Sequence, residues 1–114
     1  MIERRTIRTD YKVPVEHEKE ALNKLNRIYS KDYDGLVEAV KEGNWTAKKK
    51  NGFIELSRTN RGLGHGQERI IRQLAEFAVD GSEVLFETEY GAWKYVVEDG
   101  EYTEYTRKNE WVEK

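Results

Sequence analysis

Apolar side chains at Ile7, Tyr11 and Val13, with Thr9 between them, share the odd positions of residues 6–13 and predict a strand with one buried face. Pro14 closes it. Over residues 15–29 the period changes: Ala21, Leu22, Leu25, Ile28 and Tyr29 fall at i, i+1, i+4, i+7 and i+8, one stripe of a helix. Residues 33–42 repeat the start of that pattern with Leu36, Val37 and Val40 and stop at Gly43, which predicts a second, short helix. Residues 45–50 and 53–58 flank Asn51-Gly52, a dipeptide that accepts the positive φ angles of a two-residue hairpin turn. After a glycine-rich loop at 59–66, Ile70, Ile71, Leu74, Phe77 and Ala78 renew the helical stripe over 67–79, and Asp80-Gly81 stops it.

The last third predicts a meander of strands at 83–90, 92–98 and 101–106. Asp99-Gly100 as one turn sets Val97 opposite Tyr102 and Tyr95 opposite Glu104. Tyr90-Gly91 as the other sets Phe86 opposite Tyr95, Val84 opposite Val97 and Glu87 opposite Lys94, although Tyr90 suits a positive-φ position poorly. One face then carries Val84, Phe86, Trp93, Tyr95, Val97 and Tyr102. A one-residue slip would scatter them. The tail, residues 107–114, is polar apart from Trp111 and Val112 and reads as a frayed end.

Composition narrows the class. The 114 residues suit one domain, residues 1–114, and the 3 Trp, 7 Tyr and 3 Phe argue against disorder even though 37% of the chain is charged. Zero Cys removes disulfides, thiolate nucleophiles and Cys-based metal sites. No apolar run reaches the roughly 18 residues of a membrane span, and Met1-Ile2-Glu3-Arg4-Arg5 has no signal-peptide core behind it. The expectation is a cytoplasmic protein that meets no membrane. The net charge of −2 conceals an asymmetry. Residues 1–74 hold 16 basic and 11 acidic side chains, whereas residues 75–114 hold 4 and 11, so a basic part precedes a strongly acidic one.

The element order contains β-α-β-β-α-β, the split βαβ pattern, with extra C-terminal strands. Over residues 6–98 that layout resembles the ferredoxin-like fold, which implies an α+β two-layer sandwich: a mostly antiparallel sheet with two or three helices on one face. Small size, no Cys, heavy charge and the closing acidic meander at 83–106 look like small accessory proteins of phages and mobile elements. Some of these, including certain anti-CRISPR proteins, bind and block a host machine. The resemblance implies a non-enzymatic inhibitor.

Opposite the aromatic face the meander places Glu87, Glu89, Glu98 and Glu101, with Asp99 at the turn and Lys94 as the one offsetting charge; Glu98 and Glu101 sit directly across from each other. Such repulsion favours a protein partner with a basic groove, electrostatics speeding the encounter. The alternative is a solvated face that only prevents edge aggregation. A second candidate is nucleic-acid contact through Lys48, Lys49, Lys50, Arg58 and Arg61, helped by Arg4, Arg5 and Arg8, with Trp45 stacking on a base. A sequence pI near 5.8 weighs against it as the main activity. A third is anion binding by the loop 60–66, where Arg61, His65 and three glycines precede a helix, although its Gly-x-Gly-x-Gly spacing is not a nucleotide fingerprint.

Catalytic signals are thin. His17 and His65 stand apart, Ser30, Ser57 and Ser82 lie in no nucleophile motif, and Asn44-Trp45-Thr46 matches a glycosylation sequon without a secretory signal. The residues thus predict a binding protein, not an enzyme, with no cofactor and no metal, as a monomer or homodimer.

Overall fold

The computed structural model describes residues 5–57, 65–88, 91–107 and 111–113, with residues 5–7, 65, 107, 111 and 112 described by backbone alone. Strand β1 (Arg5–Pro14) leads through a 3-10 turn (Val15–His17) into α1 (Glu18–Tyr29). A short α2 (Leu36–Ala39) runs into a second 3-10 turn (Val40–Gly43). The hairpin of β2 (Thr46–Lys50) and β3 (Phe53–Ser57) follows, then α3 (His65–Gln73) and the strands β4 (Glu83–Thr88), β5 (Gly91–Glu98), β6 (Glu101–Arg107) and β7 (Trp111–Glu113). The seven strands form one sheet in the order β2-β3-β1-β4-β5-β6-β7. Every neighbouring pair is antiparallel.

The helical stripes and one face of the sheet share a single core. Ala21 and Leu25 from α1, Leu36 and Ala39 from α2, and Ile70 and Ile71 from α3 pack with Tyr11, Val13, Ile54, Leu56, Val84, Phe86, Tyr95 and Val97 from the strands. The result is an α+β fold in which an antiparallel sheet carries its helices on the buried face. Tyr11 ties the layers together, its hydroxyl donating to the Ile71 carbonyl. Trp45 fills the space under the second 3-10 turn at 1% exposure and donates its indole N–H to the Gln67 carbonyl at 2.8 Å. It therefore cannot stack on a base.

Both glycine turns adopt the conformation their dipeptides favour. Asn51 and Gly52 have φ 52° and 83°, Asp99 and Gly100 have φ 52° and 77°, and consecutive positive values match the twist of a two-residue hairpin. Correct turns fix correct register: Val97 pairs with Tyr102, Tyr95 with Glu104 and Glu98 with Glu101. The β4–β5 register differs from the expected one by two residues. Phe86 pairs with Trp93, Val84 with Tyr95 and Glu87 with Ala92, because the hairpin brackets residues 89–90 instead of 90–91. A slip of two keeps every side chain on its face, so the aromatic set survives: Phe86 stacks on Trp93 and Tyr95, and Tyr95 on Tyr102.

Three other expectations are corrected. A register shift between Thr6 and Arg8 sets Thr6 opposite Phe86 and Arg8 opposite Leu85, so residue 7 is an extra residue and the alternation expected from Ile7 to Tyr11 breaks there. The α3 ladder ends at Gln73, short of the expected 79, and continues as looser turns such as Phe77 N–H to the Leu74 carbonyl. The end expected to fray holds a strand at residues 111–113: Tyr105 pairs with Glu113 and Arg107 with Trp111, which adds β7.

Candidate docking surface

Strand alternation assigns each side chain to the helix-covered face or to the open one. With Val13, Ile54, Val84 and Val97 buried under the helices, the open face receives Lys48 and Lys50 from β2, Glu55 from β3, and Arg8, Asp10 and Lys12 from β1. From β4, β5 and β6 it receives Glu83, Glu87, Lys94, Glu98 and Glu101. Phe53, Leu85, Val96 and Tyr105 lie among these charges and take no part in the core cluster. Lysine stems cover some of the apolar surface: the Lys12 ammonium lies 4.8 Å from the Phe53 ring centre and that of Lys94 5.7 Å from the Tyr105 ring centre. The basic and acidic parts of the chain thus become two sides of one surface. Among the described residues, the β2-β3-β1 side carries four basic and two acidic groups, and the β4-β5-β6 side one basic and four acidic.

The strongest concentration of negative charge is the corner where β5 turns into β6. Glu98 and Glu101 oppose each other across the hairpin, Asp99 occupies its turn, and Asp80 accepts the Asp99 backbone N–H at 2.8 Å. All four are exposed. The Tyr105 hydroxyl donates to Glu98, and this bond favours the protonated phenol, so the Tyr105 pKa is pushed up to about 12. Among the described residues no cation lies within ion-pair distance of Asp80, Glu98, Asp99 or Glu101. Glu76, whose backbone passes beside Gly100, is instead paired with Lys24.

The structure divides the acidic group expected from the sequence. Glu87 sits at the far end of the meander, opposite Arg5 and Ala92, roughly 20 Å along β5 from Glu98. It does not join the corner. Glu89 lies outside the described residues.

The basic group is divided too. Lys49 points to the helix side, where its ammonium meets the Glu18 carboxylate at 2.9 Å. Glu18 also accepts the Leu36 N–H at 3.1 Å and so holds the start of α2. Burial pushes the Glu18 carboxyl up, but the Lys49 hydrogen bond, the Leu36 bond and the Lys49 charge outweigh it and hold the group below its ordinary range. Lys48 and Lys50 remain on the open face, and β2 is an edge strand, where lysines also discourage strand addition. Arg58, Arg61 and the His65 side chain lie outside the described residues, as does the loop 60–64.

Sequence reasoning missed a second polar surface. Arg69 of α3 lies 5.0 Å from the Tyr29 ring centre, Arg72 lies 5.1 Å from that of Tyr102, and Glu68, Arg69, Arg72 and Gln73 line a shallow depression. The i, i+4 spacing of Glu68 and Arg72, an ion pair at 2.5 Å, was its only local signal. No group of three or more His, Asp or Glu side chains among the described residues is arranged to hold a metal ion. No described helix is long and apolar enough to cross a membrane. Compared with known proteins, the chain matches no protein-family model, no curated protein and no solved structure.

Proposed function

We propose that this is a non-enzymatic binding protein that docks the acidic corner of its meander onto a basic protein surface, in the manner of small cytoplasmic inhibitors from phages and mobile elements. The observation that carries the reading is the exposed set Glu98, Asp99 and Glu101 on the β5–β6 hairpin, joined by Asp80 through its bond to the turn, without a neutralising ion pair among the described residues. Such a set speeds encounter with a cationic groove and loses little freedom on binding, because the turn and sheet already fix it. The accompanying fold reading is a ferredoxin-like core, β1-α1-β2-β3-α3-β4, extended by β5, β6 and β7. It is supported by β1 lying between β3 and β4 and running antiparallel to both.

Affinity capture from a host lysate, with wild type and Glu98→Lys/Glu101→Lys compared at low and high salt, tests the function. A protein captured by wild type at low salt, and lost both in the variant and at high salt, is the expected result. Equal capture by both would reject the reading. Nucleic-acid binding has less support, since Lys49 is paired and Trp45 is buried. A low-salt gel shift that disappears in Lys48→Glu/Lys50→Glu would favour it instead.

A further inference from the structure

We infer that the open sheet face is self-complementary and pairs with a second copy of this chain, the lysine side of one copy lying over the acidic corner of the other. The inference uses the corner assigned above but requires no foreign partner.

Three geometric facts carry it. First, charge segregates across the strands, with Lys48 and Lys50 on β2 at one edge and Glu98 and Glu101 on β5 and β6, four and five strands away, or roughly 19–24 Å. Second, the two groups stand at the same height along the strands. Lys48 pairs with Glu55 and Glu55 with Lys12, while the Lys12 N–H reaches the Ser82 hydroxyl at 3.3 Å and Ser82 bonds Val97 through the Val97 N–H at 2.8 Å. That row ends beside Glu98. Third, Phe53 on β3 and Leu85 on β4 supply apolar surface on the strands between the two charged groups, Val96 and Tyr105 add to it on the acidic strands themselves, and none of the four takes part in the core.

A two-fold axis parallel to the strands, running between the two faces near β1 and β4, preserves height and exchanges left with right. It brings Lys48 and Lys50 of each copy over Glu98 and Glu101 of the other, so one contact made twice closes the assembly. Any translation or end-over-end rotation loses this match. Charge complementarity therefore selects one arrangement, in which each like-charged group finds the opposite sign.

The size of the face sets the strength. Six strands about 4.8 Å apart and some 17 Å long offer a footprint of roughly 500 Å² per copy, or about 1,000 Å² for the pair, the low end of specific interfaces. The dimer is accordingly transient and salt-sensitive.

Sedimentation velocity on the intact chain at ~0.05 M and ~0.5 M salt tests the inference, using wild type, Glu98→Lys/Glu101→Lys, Lys48→Glu/Lys50→Glu and an equimolar mixture of the two variants. Wild type should dimerise with rising concentration at low salt and revert to monomer at high salt. Each variant alone should be monomeric, its two ends now sharing one sign, with the dissociation constant raised at least ~10-fold. The mixture should restore dimers, because a face basic at both ends meets one acidic at both ends. Wild type that stays monomeric at low salt, variants that each dimerise like wild type, or a mixture that stays monomeric would overturn it. Circular dichroism matching wild type verifies that each variant is folded, as expected for exposed substitutions. Lys48→Glu/Lys50→Glu retains the acidic corner, so capture of a foreign protein by this variant separates the fate of the docking function from that of the dimer.

Discussion

Glu98 and Glu101 face each other across the β5–β6 hairpin, and the Tyr105 hydroxyl bonds Glu98. Like charges in directly opposed positions destabilise an antiparallel pair by a few tenths to about 1 kcal/mol. Glu101→Thr removes the repulsion and places a strand-favouring residue in its stead. Urea unfolding should therefore show a gain of about 0.5 kcal/mol, with weaker partner binding. Glu98→Thr should gain less, because it also deletes the acceptor for Tyr105. A variant that gains stability and binds undiminished would separate the corner from function.

The Glu18 carboxylate predicts a pH effect. Its folded-state pKa lies below the ordinary carboxylate value, so the unfolded chain binds the proton more readily. The stability it contributes is present above the unfolded-state pKa of about 4.3 and is lost as pH falls through the lowered folded value. Glu18→Gln keeps the shape but not the charge. It should be clearly less stable than wild type at neutral pH, and the difference should shrink as the pH drops below about 4, measured by denaturant titrations at several pH values.

Trp45→Phe tests whether the indole N–H matters beyond its ring. The substitution leaves most of the apolar volume but removes the donor to the Gln67 carbonyl inside the core. Losing this hydrogen bond and part of the ring volume inside the core should together cost about 1–3 kcal/mol, so the midpoint of chemical unfolding should fall while the native circular dichroism spectrum is kept.

The parts of this fold legible in the sequence are those whose cause is local. Asn51-Gly52 and Asp99-Gly100 announce their hairpins because few residues accept two consecutive positive φ angles, and a fixed turn fixes its register. The β4–β5 turn has no such dipeptide. Gly91 attracts the assignment, yet it begins β5 opposite Thr88. The face assignment survived because the error was an even number of residues. Strand β7 was hidden for the opposite reason, since its pairing with β6 is tertiary and a segment of three residues, Trp111–Glu113, is too short to show a period. The candidate site shows the same division. Parity alone separates Lys49 from Lys48 and Lys50, whereas the gathering of Asp80 with Glu98, Asp99 and Glu101 depends on the Asp99–Asp80 bond between residues 19 apart.

Two glycines near the start of α3 make opposite predictions. A Cβ built on Gly43 would lie 2.6 Å from the Gly66 carbonyl oxygen and closer still to Ile70 Cγ1, so the second 3-10 turn approaches α3 through a space only glycine fits. Backbone on one side leaves little room to yield, and Gly43→Ala should cost at least the ~1–3 kcal/mol typical of overpacking. A Cβ on Gly66 meets nothing within 4 Å. Gly66→Ala lies within α3, relieves the entropic cost of a helical glycine and should stabilise by up to about 1 kcal/mol. Thermal unfolding of the two single variants checks both signs. A neutral Gly43→Ala would show that the turn moves away from α3 without loss, and the tight packing between them would then contribute nothing to stability.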